Sequence, residues 1–257
     1  MENSGRSYNS RELVSVMASR VLEDGKVVFV GAGIPLIAAA LAQKTRAPHL
    51  TIVFEGGSVG PEIKPEYIPL STNEMRAGTR AFMMPSVQEV FLFQQRGYVD
   101  YSFLGAAQID KFGNINTTVI GSWDKPKVRL PGTGGANDLI SSAIRTIVVT
   151  MHEKRRFVEK VDFVTSPGFL GGSESRRKSG LIFGGVYKIV TDLGIMGFEN
   201  DDREMCLEAV HSGVSVDDVL SNTGFKLRVS PDVKVTESPT AEELRILRSL
   251  DPKRYYI

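Results

Sequence analysis

The chain has 257 residues, 25 glycines, one cysteine and a formal net charge of +1. The length suits one large α/β domain with ample material for a core, while the near-neutral charge argues against a broad nucleic-acid footprint and the lone Cys206 excludes an intrachain disulfide or a thiolate metal cluster. The polar start "MENSGRSYNSREL" lacks a signal-peptide core and no apolar run approaches the length of a membrane span, so a reducing, cytoplasmic home with no membrane partner is expected.

"NSRELVSVMASRVLEDG" predicts a first helix, capped by Asn9 or Ser10, with Leu13, Val16, Met17 and Val21 as its apolar stripe and Asp24-Gly25 as its stop. "KVVFV" then reads as a strand buried on both faces. Gly31-Ala32-Gly33 turns the chain, and Pro35 opens the helix "PLIAAALAQKTRA". "LTIVF" is the next strand and runs into Glu55. This order is a βαβ signature for a parallel sheet. Further strands are expected at "YSFLG", "IRTIVVTM" and "DFVTS".

Beyond about residue 185 the texture becomes strand-rich. "VYKIVTDLGIMGFE" resembles two strands joined at Asp192-Leu193-Gly194, and "MCLEAV" is a third. Ser215-x-x-Asp218 and Thr240-x-x-Glu243 are capping boxes that open two helices. There is no repeat and no linker. The predicted fold is α/β, an open and mostly parallel sheet flanked by helices with a strand-rich C-terminal part, over residues 1–257 as a single domain.

Ligands of open parallel sheets collect outside the carboxyl ends of the strands. Glu55 and the Gly31–Gly33 turn lie at such ends. Gly56 and Gly57 leave space beside the carboxylate, and their N–H groups can polarise a carbonyl oxygen. A carboxylate facing a carbonyl there is a candidate covalent nucleophile; the alternative is a tight turn with a solvated acid. The full dinucleotide fingerprint fails, because position 36 is leucine.

"GAAQIDKFGNINTT" offers the amides of Gln108, Asn114 and Asn116, and "LPGTGGAND" offers Gly132, Gly134, Gly135 and Asn137 as an anion nest. Plain turn chemistry is the alternative for both. The basic run "HEKRRF" reads as either a phosphate contact or a solvated face. His49, His152 and His211 have no metal spacing, so no metal site is expected.

Taken in order, "VGAGIPL", "FEGG", "GAAQIDKFGNINTT", "GTGGAND" and "HEKRRF…VDFVTSPG" resemble the β subunit of class I CoA-transferases, most nearly the glutaconate CoA-transferase group. The resemblance spans nearly the whole chain. It implies an enzyme that moves coenzyme A between an acyl-CoA and a carboxylate such as a short dicarboxylic acid, through a glutamyl-CoA thioester, and the matching glutamate is Glu55. It also implies an α subunit on a separate chain that completes the site with a Gly-rich oxyanion loop, in a hetero-oligomer. The loops at Gly31–Gly33, Gln108–Asn116 and Gly132–Asn137 match segments lining the same cleft. The acyl-CoA is a substrate, and no tightly bound cofactor is implied. An acyl-CoA hydrolase or a decarboxylase on the same fold, or a non-catalytic ligand-binding protein, are the other readings.

Overall fold

The computed structural model describes residues 7–172, 174–181 and 183–257; residues 1–6 of the polar start lie outside the described residues. The described residues form two compact units, one of residues 7–103 with 238–257 and one within residues 104–237.

The first unit begins with α1 (Ser10–Val21). Asn9 caps it in a full capping box, its side chain accepting from the Glu12 N–H while the Glu12 carboxylate accepts from the Asn9 N–H. Leu13, Val16 and Met17 are buried as the stripe requires. β1 (Val27–Val30) follows, then α2 (Ile34–Thr45), buried without a break from Leu36 to Ala42. β2 (Thr51–Phe54) lies parallel to β1, with Val27 opposite Thr51 and Val30 opposite Phe54.

Short 3-10 turns at Pro65–Tyr67 and Met75–Gly78 lead to α3 (Val87–Gln95), which the expected elements did not include. β3 (Tyr101–Leu104) then pairs parallel with the other edge of β1, Val28 opposite Tyr101, so β1 lies between β2 and β3.

The second unit opens with two small hairpins, β4 (Gln108–Ile109) with β5 (Ile115–Asn116) and β6 (Val119–Gly121) with β7 (Pro126–Arg129). Next come α4 (Ala136–Ser142), β8 (Arg145–Val149), the single turn α5 (Ser175–Lys178), β9 (Val186–Val190), β10 (Gly194–Gly197), β11 (Cys206–His211), α6 (Val216–Ser221) and β12 (Arg228–Thr236). β8 and β9 run parallel, β9, β10 and β11 antiparallel, and β11 and β12 parallel again. The α/β class, the prevalence of parallel pairs outside the two small hairpins and the strand-rich C-terminal part all agree with the sequence.

"DFVTS" is a correction. It is not a strand, and only Ser166 makes an isolated bridge, to Ile115. Its polar groups are distributed among the neighbouring loops instead of forming a ladder, as the hydrogen bonds of Asp162 and Thr165 show below.

The last helix, α7 (Ala241–Leu250), belongs to the first unit and packs on α1 and α2. The Arg20 guanidinium meets the Glu243 carboxylate at 2.7 Å, and Arg248 meets Glu12 at 2.7 Å. The first and final helices are thus fastened to each other by two ion pairs.

Candidate active site

In the first unit β1 and β2 end level. Because Val30 is opposite Phe54, Gly31 and Glu55 leave adjacent strands side by side, at the strand spacing of about 5 Å. From β1 the chain goes through α2 to β2 on one side, while β3 lies on the other. The carboxyl end of β1 is therefore a topological switch point, where the surrounding loops diverge and leave a crevice. Gly33 caps α2 at φ 109, a conformation that favours glycine, and no side chain caps the helix. No heavy atom lies within 4 Å of a Cβ placed on Gly31, and only Pro35 Cδ at 3.8 Å approaches one on Gly33. This turn has open space beside it.

Glu55 sits in a tight turn. The Gly57 N–H donates to the Phe54 carbonyl at 3.0 Å, and the Phe54 N–H donates to the Ser58 carbonyl at 2.9 Å. Val59 then runs back antiparallel, bridging Val53 and Met83. The glycines here have a structural cause. Gly57 has φ 100, and a Cβ on it would collide with the Pro85 carbonyl oxygen; a Cβ on Gly56 would collide with the Thr72 carbonyl and crowd Asn73 Oδ1 at 2.8 Å. Side chains are excluded by backbone pressed against the turn, from segments that sequence reasoning did not connect with it. Among the described residues, the half-buried Glu55 carboxylate has neither a hydrogen-bond nor an ion-pair partner, and the Gly56 N–H is unpaired as well.

The second unit holds the other predicted site residues, and it ties Gln108, Asn114 and Asn137 to residues 162–170. Gln108 Oε1 accepts from Asn116 Nδ2 at 2.7 Å and from the Asp162 N–H at 3.0 Å, while its Nε2 donates to Asp162 Oδ2 at 3.0 Å. Asn116 Oδ1 accepts from the Thr118 and Val119 N–H groups. Asn114 Nδ2 donates to Asp110 Oδ2 and to the Leu170 carbonyl, and its Oδ1 accepts from the Gly168 and Leu170 N–H groups, each at 2.9–3.0 Å. All three amides are buried and occupied by the chain's own atoms. They pin loops. Burial pushes the Asp110 carboxyl above its ordinary range, against the Asn114 hydrogen bonds that favour its ionised form.

Gly132 has φ 96 and Gly134 φ 48, both with open space where a Cβ would stand, and Gly135 caps α4. The loop is held by Thr117 and Gly132, which exchange two hydrogen bonds. Asn137 Nδ2 donates to the Thr165 carbonyl at 2.9 Å. Thr165 also receives the Thr117 N–H and meets Thr118. Asp162 and Thr165 organise this region, and sequence reasoning missed both; their polarity within an expected strand was the available signal.

"HEKRRF" is only partly a solvated basic face, with Lys154 and Arg155 exposed. Arg155 and Arg156 both bind Glu153, Arg156 also donates to the Ala106 carbonyl, and His152 is buried between Thr191 and Thr223 while stacked on Phe157. Burial pushes the His152 pKa down to about 4.

The first-unit turn thus combines an unpartnered carboxylate with an unpaired N–H and an uncapped helix start. That set can attack an acyl carbon and stabilise the charge that follows. The second-unit set is a scaffold for glycine loops.

Comparison with known proteins identifies the family. The family model described as coenzyme A transferase matches residues 11–222. The β subunit of the 3-oxoadipate CoA-transferase of Pseudomonas knackmussii is 41% identical over 248 residues, covering 96% of this chain and 95% of the relative. The β subunit of the glutaconate CoA-transferase of Acidaminococcus fermentans is 36% identical over 98% of this chain and 96% of its own length. The crystal structure of glutaconate CoA-transferase from the same organism superposes with a TM-score of 0.91 at 33% identity, covering 98% of each chain. The chain belongs to the coenzyme A transferase family.

Proposed function

We propose that this chain is the β subunit of an enzyme that transfers coenzyme A from an acyl-CoA to a free dicarboxylate, with Glu55 as the covalent carrier. The observation that carries the proposal is the unpartnered Glu55 carboxylate on a glycine turn, level with the end of β1. A carboxylate already engaged by an arginine or by several N–H groups would be a poorer nucleophile. This one is held in place by its backbone and left free at its oxygens.

Glu55 attacks the thioester carbonyl, the C–S bond breaks, and a mixed anhydride and CoA thiolate result. The thiolate then attacks the glutamyl carbonyl, releasing the original acid and leaving a glutamyl-CoA thioester. An acceptor carboxylate attacks that thioester, the thiolate leaves again, and its return to the acceptor's acyl carbon regenerates Glu55. No net redox change occurs, and no metal is called for. The Gly56 N–H is one donor for the developing oxyanion, and a glycine loop of the α subunit supplies the rest. Each such donor contributes on the order of 2.7–4 kcal/mol.

The site residues proposed around Glu55 are Gly31, Gly33, Gly56 and Gly57. The Gly132–Asn137 loop is proposed for the acyl-CoA, with Gln108, Asn114 and Asn116 holding the backbone that shapes it. Both named relatives act on dicarboxylic acids, which supports a diacid of five or six carbons as the substrate class. The higher identity to the 3-oxoadipate enzyme favours a 3-oxo diacid over glutaconate. The free thiol of coenzyme A favours a reducing compartment, the cytoplasm.

The test is Glu55→Ala co-assembled with the α subunit. Transfer falls by about 10³-fold or more, and borohydride reduction after mixing wild type with acyl-CoA marks the Glu55 peptide by mass spectrometry. Transfer at the wild-type rate would end the proposal, and CoA release without an acceptor-dependent product would replace transfer by hydrolysis.

A further inference from the structure

The loop and helix that follow the Glu55 turn carry an apolar surface that the proposed chemistry does not use. Met75 is 95% exposed, Phe82 79%, Met84 64%, Tyr98 64% and Tyr67 59%. Soluble proteins scatter single apolar side chains over their surfaces, but they rarely place so many of the largest ones on one short segment. Large side chains carry about 150–250 Å² of surface each, so these five expose on the order of 700 Å². A stable interface buries about 800 Å² on each partner.

The composition points the same way. Aromatic residues and methionine are enriched at the centres of protein interfaces, where charged residues are scarce. The arginines beside Met75 and Phe82 are already neutralised, Arg76 by Glu74 and Arg80 by Glu62. Arg96, exposed beside Tyr98, is the remaining cation of the segment. Five large apolar side chains thus stand among few unpaired charges, which suits an apolar protein surface better than an anionic lipid or a nucleic acid.

The segment is also joined to the reacting turn. Met83 bridges Val59, which bridges Val53 of β2, and the Phe82 ring lies against Gly60. The Pro85 carbonyl packs on Gly57, and the Thr72 carbonyl on Gly56. A protein seated on residues 67–98 therefore presses on the frame that holds Glu55.

We infer that the apolar face of residues 67–98 is the docking surface for the α subunit, so that association of the two chains sets the backbone around Glu55. The inference rests on the proposed two-subunit enzyme and names the face through which it assembles.

The experiment mixes the purified chain with its α subunit and follows backbone hydrogen exchange and sedimentation. Peptides covering residues 75–84 exchange at least about 10-fold more slowly in the complex. Met75→Glu and, separately, Met84→Glu weaken α-subunit binding by about 100-fold or more, with the thermal midpoint of the chain alone unchanged. Glu55→Ala binds the α subunit as wild type does. A complex that forms with unchanged exchange over residues 67–98 overturns the inference. So does a chain that pairs with a second copy of itself through Met75 while still binding the α subunit in Met75→Glu. If both methionine variants fail to assemble but Glu55→Ala still transfers CoA, the docking surface stands and the proposed nucleophile falls.

Discussion

The turn at Glu55 and the loop at Asn114 look alike in sequence, each a polar residue beside glycine and next to a strand. Their structures are opposites. Asn114 fills every hydrogen-bonding position of its amide and lies buried. Glu55 has no partner among the described residues, although the backbone around it is tightly fixed. A buried amide left unpaired costs the fold about 1–3 kcal/mol, so a saturated amide is structural. A fixed carboxylate kept free of partners retains the lone pairs needed for attack. What separates the two is the state of the polar atoms, and composition does not reveal that.

The largest effect expected on this contrast comes from the frame of the first turn. Gly57→Ala forces a side chain into φ 100 and against the Pro85 carbonyl. We expect the assembled enzyme to lose about 100-fold or more in kcat/KM, the scale of a reacting group misplaced by about an ångström. Urea melts should register a further loss of about 2–3 kcal/mol in stability. A Gly57→Ala enzyme with full activity would show that the turn does not need its rigidity.

Asn114→Ala should give the reverse profile. It strips partners from the Gly168 and Leu170 N–H groups and from Asp110, and should cost about 3–4 kcal/mol in urea melts. The surviving folded enzyme should keep its kcat within a few-fold. A collapse of kcat with little loss of stability would move Asn114 from scaffold to ligand contact.

The smallest effect is a pH dependence from His152, another polar group committed to the fold. Its pKa is 6.5 in the unfolded chain and about 4 when buried. As pH falls below about 6.5 the unfolded chain takes up a proton that the folded chain refuses until about pH 4. Stability is therefore lost across that interval, by at most roughly 3–4 kcal/mol. His152→Gln should flatten the slope of unfolding free energy between pH 6.5 and 4, read from urea melts. An unchanged slope would assign the acid sensitivity to other groups.

Much of the framework was legible because it is written locally. The strand at Val27–Val30, the Gly31–Gly33 turn, the strand ending before Glu55 and the boxes at Ser215 and Thr240 each follow from neighbouring residues. α3 carries an equally local signal, a Ser86-x-x-Glu89 box after Pro85, yet the expected elements do not include it. β12 hides behind Pro231 and its charges, the features that keep an edge strand from pairing further. Of the proposed site, only the setting of Glu55, a carboxylate at a strand end followed by two glycines, was legible. Gln108 and Asn114 find partners about fifty residues away, at Asp162 and at Gly168 and Leu170, and the atoms that demand Gly56 and Gly57 belong to Thr72 and Pro85. Such pairings are properties of the folded backbone, and no local pattern contains them.

The two ion pairs that fasten α7 to α1 have a consequence for how the protein is made. The ribosome delivers α1 and α2 first and α7 last, with the whole second unit in between. At about 5–20 residues per second, α7 follows β3 by roughly 7–30 s. Throughout that interval the apolar sides of α1 and α2 that α7 will cover stay open on the nascent chain, and Glu12 and Arg20 wait for Arg248 and Glu243. The half of the molecule that carries Glu55 is begun first and closed last.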